Sequence, residues 1–381
     1  MKKNGLLLAL CGVLSLSACS SLNPFADPPR NPPAQLSEFK PSMAVRQVWS
    51  YAIGSSGDYA FSPAQAGDSL FVAAADGALA RLDVASGKAA WRIQTGQRLT
   101  GGVGAASDGN LVVVATEKGG LQAYDGQGKL RWSAQASSEV LSAPAVGGGL
   151  VAVRSHDNKI TAYDAETGAR RWQAQRIAPP LTLRNSGALT IDAGNVYVAM
   201  PGGRMLALSG QNGSVRWEVA VAEPRGATEL ERVTDLAGAP VLAGREICAV
   251  TYQGKLACYD RTNGQLRWSK EFSSDAGMSV DERFVFASDE KGSLSAFNRE
   301  GKSLWRNDKL AWRRLSAPAS IGRAVAVADY QGFIHFLSRE DGAFLARLPG
   351  DGSPTPGMPL VANDRLILQT KNGAVLALAA D

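Results

Sequence analysis

The side chains best suited to chemistry are few and scattered. The chain of 381 residues holds two histidines, His156 and His335, and four cysteines, Cys11, Cys19, Cys248 and Cys258. A metal centre needs such groups gathered at short spacing, and neither histidine has a cysteine or a second histidine at ligand spacing. Asp125, Asp164 and Asp260 each follow a tyrosine and precede a glycine-containing turn. That recurrence marks them as turn formers, whose carboxylates accept backbone hydrogen bonds, rather than as a general acid and base. No Gly-x-Ser-x-Gly elbow and no phosphate-binding loop occurs in the sequence. These residue types and spacings weigh against catalysis and leave binding or scaffolding.

The aspartates recur because the chain itself repeats. The stretch GGLQAYDGQGKLRW, ending at Trp132, has relatives ending at Trp91, Trp172, Trp217, Trp268 and Trp305. A seventh copy has Ala346 in place of the tryptophan, and an eighth starts at Asn372 and stops at Asp381. Within the unit Leu121, Ala123 and Asp125 alternate with Gln122 and Tyr124, the period of a strand. A turn follows, and four residues past its glycine stands the aromatic anchor. The anchors lie 41, 40, 45, 51 and 37 residues apart from Trp91 to Trp305, the period of four-stranded propeller blades. Packing between neighbouring blades is therefore the expected role of seven of the eight tryptophans.

Before each unit stands a strand of small residues, often opened by proline: FSPAQA at Phe61, TGGVGAA at Thr100, SAPAVG at Ser142, SGALTID at Ser186, GAPVLA at Gly238, AGMSVD at Ala276, SAPASI at Ser316 and GMPLVA at Gly357. Such residues suit innermost strands crowded around a channel. The eighth copy lacks an outer strand, while RQVWSYAIG at Arg46, with Trp49, lacks inner ones. Pairing the two completes a blade and removes an exposed edge. The expectation is an all-β, eight-bladed β-propeller over residues 43–381, with four antiparallel strands per blade and the ring closed by the N-terminal strand on the last blade.

The N-terminus reads differently. Lys2 and Lys3, the apolar stretch from Leu6 to Leu16, and Leu16-Ser17-Ala18-Cys19 form a signal segment over 1–18, too short to span a bilayer as a mature helix. The tetrapeptide resembles a bacterial lipobox, which implies lipidation of Cys19. Ser20 after it resembles lipoproteins sent to the outer membrane. Residues 19–42 contain six prolines and no apolar periodicity, the composition of an extended tether. The formal charge is +5, or +3 without Lys2 and Lys3, and it is scattered, so no nucleic-acid surface is expected.

Three irregular features remain. Cys248 and Cys258 fall on the second and third strands of the fifth blade, opposite or one place off, as a disulfide or as two buried thiols. Trp312, off the repeat beside Arg313 and Arg314, is either an interface anchor or a residue folded over a blade edge. Between Trp172 and Trp217 a double proline precedes Leu181-Thr182-Leu183-Arg184, and between Trp217 and Trp268 lies a charged insertion ending at Asp235. These connections belong to neighbouring blades, so they should lie side by side on one rim, where binding usually resides.

The repeat resembles that of the quinoprotein, or PQQ-type, propellers, whose enzymes carry a quinone beside adjacent paired cysteines. This chain has no Cys-Cys pair and no Cys-x-x-Cys-His, so neither cofactor nor metal is expected. With the lipobox, the tether and the Leu181-Thr182-Leu183-Arg184 and Arg232-Val233-Thr234-Asp235 segments, the chain resembles the BamB family of outer membrane protein assembly lipoproteins. That resemblance implies a non-enzymatic scaffold, lipid-anchored on the periplasmic face of the outer membrane. It would bind the POTRA domains of the central, BamA-like barrel subunit through Leu181, Leu183, Arg184 and Asp235. Other lipoproteins of the complex and unfolded outer membrane proteins are further partners that the resemblance admits. Ala237 departs from it, standing where relatives can carry a second acid. The rival readings are a periplasmic quinoprotein-like oxidoreductase and a polysaccharide-binding envelope propeller. The latter would need aromatic residues and carboxamides clustered at the channel mouth.

Overall fold

The computed structural model describes residues 30–177, 179–183 and 187–381. The signal segment, Cys19 and Arg184 lie outside the described residues. Among those described, eight antiparallel four-stranded sheets follow one another along the chain, and the one helical element is a 3-10 turn at Glu117–Gly119. Seven sheets pair their strands in chain order. In the eighth, the first strand (Val45–Ala52) lies outside the last (Ala374–Ala380), with Val45 opposite Ala380 and Ala52 opposite Ala374. The molecule is an eight-bladed β-propeller closed by its N-terminal strand. Five of the inner strands begin one residue after a proline, at Ala64, Ala145, Val241, Ala319 and Leu360. The missing N–H falls there at the strand's start, where it costs little.

The third strands of the blades are buried on both faces. In Gly120–Asp125, Leu121 and Ala123 pack toward the third blade while Tyr124 packs toward the first. Each tryptophan then leans on the next blade. Its indole N–H donates to a carbonyl of that blade's outer turn at 2.7–3.1 Å, from Trp49 to the Val84 oxygen round to Trp305 and the Arg339 oxygen. The glycine of the same turn lies beneath the ring: a Cβ on Gly213 would stand 2.5 Å from Trp172, and the residue has φ +71°. So the glycine of each repeat serves the tryptophan of the repeat before it, through an open space and a left-handed backbone that only glycine supplies without strain.

Ala346 breaks the pattern for a reason the closure provides. The eighth blade has no turn between its third and outer strands, because those strands are the two ends of the folded body. A tryptophan at 346 would have no turn to sit on. Met43 packs against Ala346 in its stead, and the Ser42 and Met43 N–H groups donate to the Leu345 carbonyl at 2.9 and 3.3 Å.

A second tie between blades runs through three arginines. The carbonyls of Arg261, Arg299 and Arg339 hold the tryptophan of the preceding blade, while their guanidinium groups pair with Asp192, Glu246 and Asp281 on the same preceding blade. The recurrent aspartates do act locally: Asp125 accepts from the N–H groups of Gln127 and Lys129, and Asp164 from those of Glu166 and Thr167. Trp312 is half-buried with φ +62° and donates its backbone N–H to the Lys291 carbonyl at 2.6 Å.

Cys248 and Cys258 stand directly opposite each other and are joined by a disulfide. Both are fully buried. The bond spans a sequence separation of 10 residues, for which loop-closure entropy gives about 2–3 kcal/mol. A Cys248→Ala, Cys258→Ala variant is expected to lose that much in equilibrium denaturation. A midpoint equal to that of the oxidised protein would show that the bond constrains nothing.

Candidate functional site

The connection from the third blade's outer strand (Arg170–Gln175) to the fourth blade's inner strand (Leu189–Asp192) contains Leu181 and Leu183. The connection from Val215–Ala220 to Val241–Ala243, between the fourth and fifth blades, contains the charged insertion. Both join an outer strand to the next inner strand, so both open on one face of the ring. Ile177 is fully exposed, Leu181 is 39% exposed and Leu230 is 72% exposed, while Leu183 is half-buried. Along 223–232 every residue is exposed, after which Val233 to Ala237 turn inward.

The two connections meet at Asp235. Its carboxylate accepts the Leu183 N–H at 2.6 Å through Oδ2 and the Gly202 N–H at 2.9 Å through Oδ1, and its carbonyl accepts the Tyr252 N–H at 2.8 Å. Asp235 has no exposed surface. The family resemblance implies that this acid belongs to the docking surface beside the leucines. It lies inside because two backbone N–H groups from the neighbouring blade's connection and turn converge on it, and a buried carboxylate is stable only where such donors replace water. Ala237 is also buried and packs in the core between the fifth and sixth blades, its N–H donating to the Val250 carbonyl.

Two further residues complete the support, and sequence reasoning missed both. Arg154, on the third blade, donates to Asn158 Oδ1 at 3.1 Å and to the Gly187 carbonyl at 3.3 Å. Burial lowers its pKa to about 10, against which the negative charge of Asp235 acts. It thus joins the second strand of the third blade to the far end of the Leu181 connection. Nothing in the sequence around Arg154 announces this. Gly202 did carry a signal, the doubled glycine in Pro201-Gly202-Gly203. Pro179 rests against it, and a Cβ there would come 3.0 Å from the proline ring. The arrangement holds an aliphatic projection, Leu181 and Leu183, on a charged and hydrogen-bonded base. Among its described residues no group is placed to attack, protonate or ligate, and its exposed aliphatic side chains suit binding.

Elsewhere the inner strands of the fifth to eighth blades border a depression lined by Leu242, Met278, Asp281, Arg299, Ile321 and Arg339 among others, none of them aromatic. Among the described residues no three His, Cys, Asp or Glu side chains gather as a metal site, and no helix is long and apolar enough to cross a membrane.

A family model described as outer membrane protein assembly factor BamB matches residues 44–100, 85–300 and 290–381. A protein of that name from Bordetella pertussis is 42% identical over 98% of this chain and 96% of its own length. The crystal structure of BamB from Moraxella catarrhalis superposes with a TM-score of 0.81 at 29% identity, covering 88% of this chain and 100% of that one. A quinohemoprotein alcohol dehydrogenase from Comamonas testosteroni shares the fold alone, with a TM-score of 0.68 at 16% identity, over 88% of this chain and 76% of its own. The chain belongs to the BamB family of outer membrane protein assembly factors.

Proposed function

We propose that the protein is a non-enzymatic scaffold that docks on the POTRA domains of the central β-barrel assembly subunit, held on the periplasmic face of the outer membrane by a lipid on Cys19. The observation that carries the reading is the aliphatic projection at Leu181 and Leu183, exposed at its tip and fixed at its base by a buried carboxylate. Apolar side chains on a rigid scaffold bind with little loss of freedom, which is what lets a short segment anchor an interface. Arg184, three residues past Leu181, supplies a cation at the end of the same segment and suits an acidic or carbonyl partner. Asp235 acts from within, by fixing the backbone that presents Leu183.

Calorimetric titration of the POTRA region into the full-length protein tests this. Saturable binding is expected, weakened at least about 30-fold by Leu183→Ala with Arg184→Ala, the loss of about 2 kcal/mol typical of an interface anchor. Circular dichroism must show the variant folded. Equal binding by variant and wild type would remove the surface from consideration, and absence of binding by the wild type would remove the partner.

A further inference from the structure

The Pro-rich composition of residues 24–41 points to extended chain, and residues 34–42 are extended, yet they are fastened along the seventh blade. The Ala34 N–H donates to the Ala311 carbonyl at 2.8 Å, and the Ala34 carbonyl accepts from Arg313 Nη1 at 3.0 Å. Leu36 packs into the core between the sixth and seventh blades. The Ser37 carbonyl accepts from Arg347 Nη1 at 3.2 Å. Phe39 stacks on Phe344 with ring centroids 5.3 Å apart, and the Arg347 guanidinium lies 5.1 Å over the Phe39 ring. At the far end the Ser42 carbonyl accepts from Arg323.

The two arginines are held from behind by fully buried groups. Arg313 Nε donates to Asp329 Oδ2 at 2.7 Å, His335 Nε2 lies 2.9 Å from the same oxygen, and Arg347 Nε donates to His335 Nδ1 at 3.1 Å. An arginine can donate to Nδ1 only if that nitrogen carries no proton, so His335 is neutral with its hydrogen on Nε2. Burial pushes the His335 pKa below its ordinary value in keeping with this. Burial alone would raise the Asp329 carboxyl, but the hydrogen bonds from His335 and Arg313 hold it lower. None of these residues belongs to the docking segment.

The attachments also give the segment a direction. Ala34 lies against the connection between the outer strand of the sixth blade (Ser303–Asn307) and the inner strand of the seventh (Ala319–Ile321), whereas Arg323 sits in the turn between that inner strand and Ala324–Ala328. These two links stand at opposite ends of the strands, so the segment crosses the blade from one face of the ring to the other. The link that receives Ala34 is of the same kind as those carrying Leu181 and Asp235, and opens on their face.

We propose that residues 34–42 are a strap that fixes the exit of the upstream chain on the face bearing Leu181 and Leu183, with Arg313 and Arg347, set by Asp329 and His335, as its fastening. The use of that exit rests on the proposed lipid anchor: a lipid on Cys19 then draws the docking face toward the membrane, across fourteen residues that reach at most about 50 Å. Freed back to Met43, the chain would gain nine residues and leave from the opposite face.

Hydrogen exchange of the full-length protein in detergent tests the fastening. The amides of Ala34, Ser42 and Met43 are expected to exchange slowly in the wild type and at least tenfold faster in Arg347→Ala, with the first five blades unchanged. Phe39→Ala, which alters only the strap's own side chain, serves if Arg347→Ala fails to fold. Nitroxides at Gln35→Cys and Glu229→Cys in a Cys11→Ser, Cys19→Ser background test the exit, through a narrow distance distribution that broadens and lengthens in Phe39→Ala. Fast exchange of the strap in the wild type, or a distance distribution that Phe39→Ala leaves unaltered, would overturn the proposal. POTRA binding is expected to survive both strap variants, so its loss from the wild type would count against the docking reading and leave the strap standing.

Discussion

Asp235→Ala is expected to weaken POTRA binding by more than Leu181→Ala does, although Asp235 offers the partner no surface. Removing the carboxylate leaves the Leu183 and Gly202 N–H groups without their acceptor and takes the compensating charge from Arg154. Buried donors left unmet cost about 1–3 kcal/mol each, and a buried cation stripped of its counter-charge adds to this. The cost falls on the connection rather than on the ring, so residues 179–183 should exchange amide hydrogen faster while the blades keep their protection. Asp235→Asn retains one acceptor oxygen but turns an NH2 group toward the other N–H, and should recover only part of the binding. Hydrogen exchange and calorimetry on the same samples decide the matter. Binding lost with loop protection intact would mean that Asp235 meets the partner directly, as the family resemblance implies.

The largest effect on the fold is expected at Trp172. The indole is 8% exposed, fills the junction between the third and fourth blades, and donates to the Gly210 carbonyl at 2.7 Å. Trp172→Ala should cost about 3–5 kcal/mol, from lost burial and an unfilled cavity. Gly213→Ala should also destabilise, since its new Cβ would meet the ring while the backbone stays left-handed. The two changes should not add: with the ring gone the clash goes too, and only the backbone strain of the alanine persists. Denaturant unfolding of the two single variants and the double completes the cycle. A fully additive double variant would mean that glycine and tryptophan are independent, contrary to their contact.

Those two residues also show why the ring could be read from the chain. A glycine four residues before six of the eight tryptophans is a local signal, but it records a contact one blade away, repeated at nearly the same period. The inner strands were legible for a similar reason, since small residues and a leading proline suit only an innermost edge. Closure followed from counting strands at the two ends. What could not be read was any interaction made once. Asp235 resembles every other acid in a charged loop, and its burial depends on where Leu183 and Gly202 fall in three dimensions. Residues 20–42 taken together carry a composition that favours extension, and composition says nothing of the arginines waiting on the seventh blade. In the sequence Arg313 stands out only as a neighbour of Trp312, while the buried partner that orients it, Asp329, lies beyond the next two strands.

The pairing of Val45 with Ala380 has a consequence for how the molecule comes to be. Every other blade is built from a contiguous piece of chain, so its contacts are local and can form as soon as that piece is available. The closing blade joins the two ends of the body, and its contacts have the longest sequence separation in the fold. Forming them demands the largest loop entropy. The first strand to appear must therefore wait, edge exposed, for the last. A ring left unclosed would expose two strand edges, the feature that invites pairing with a wrong partner.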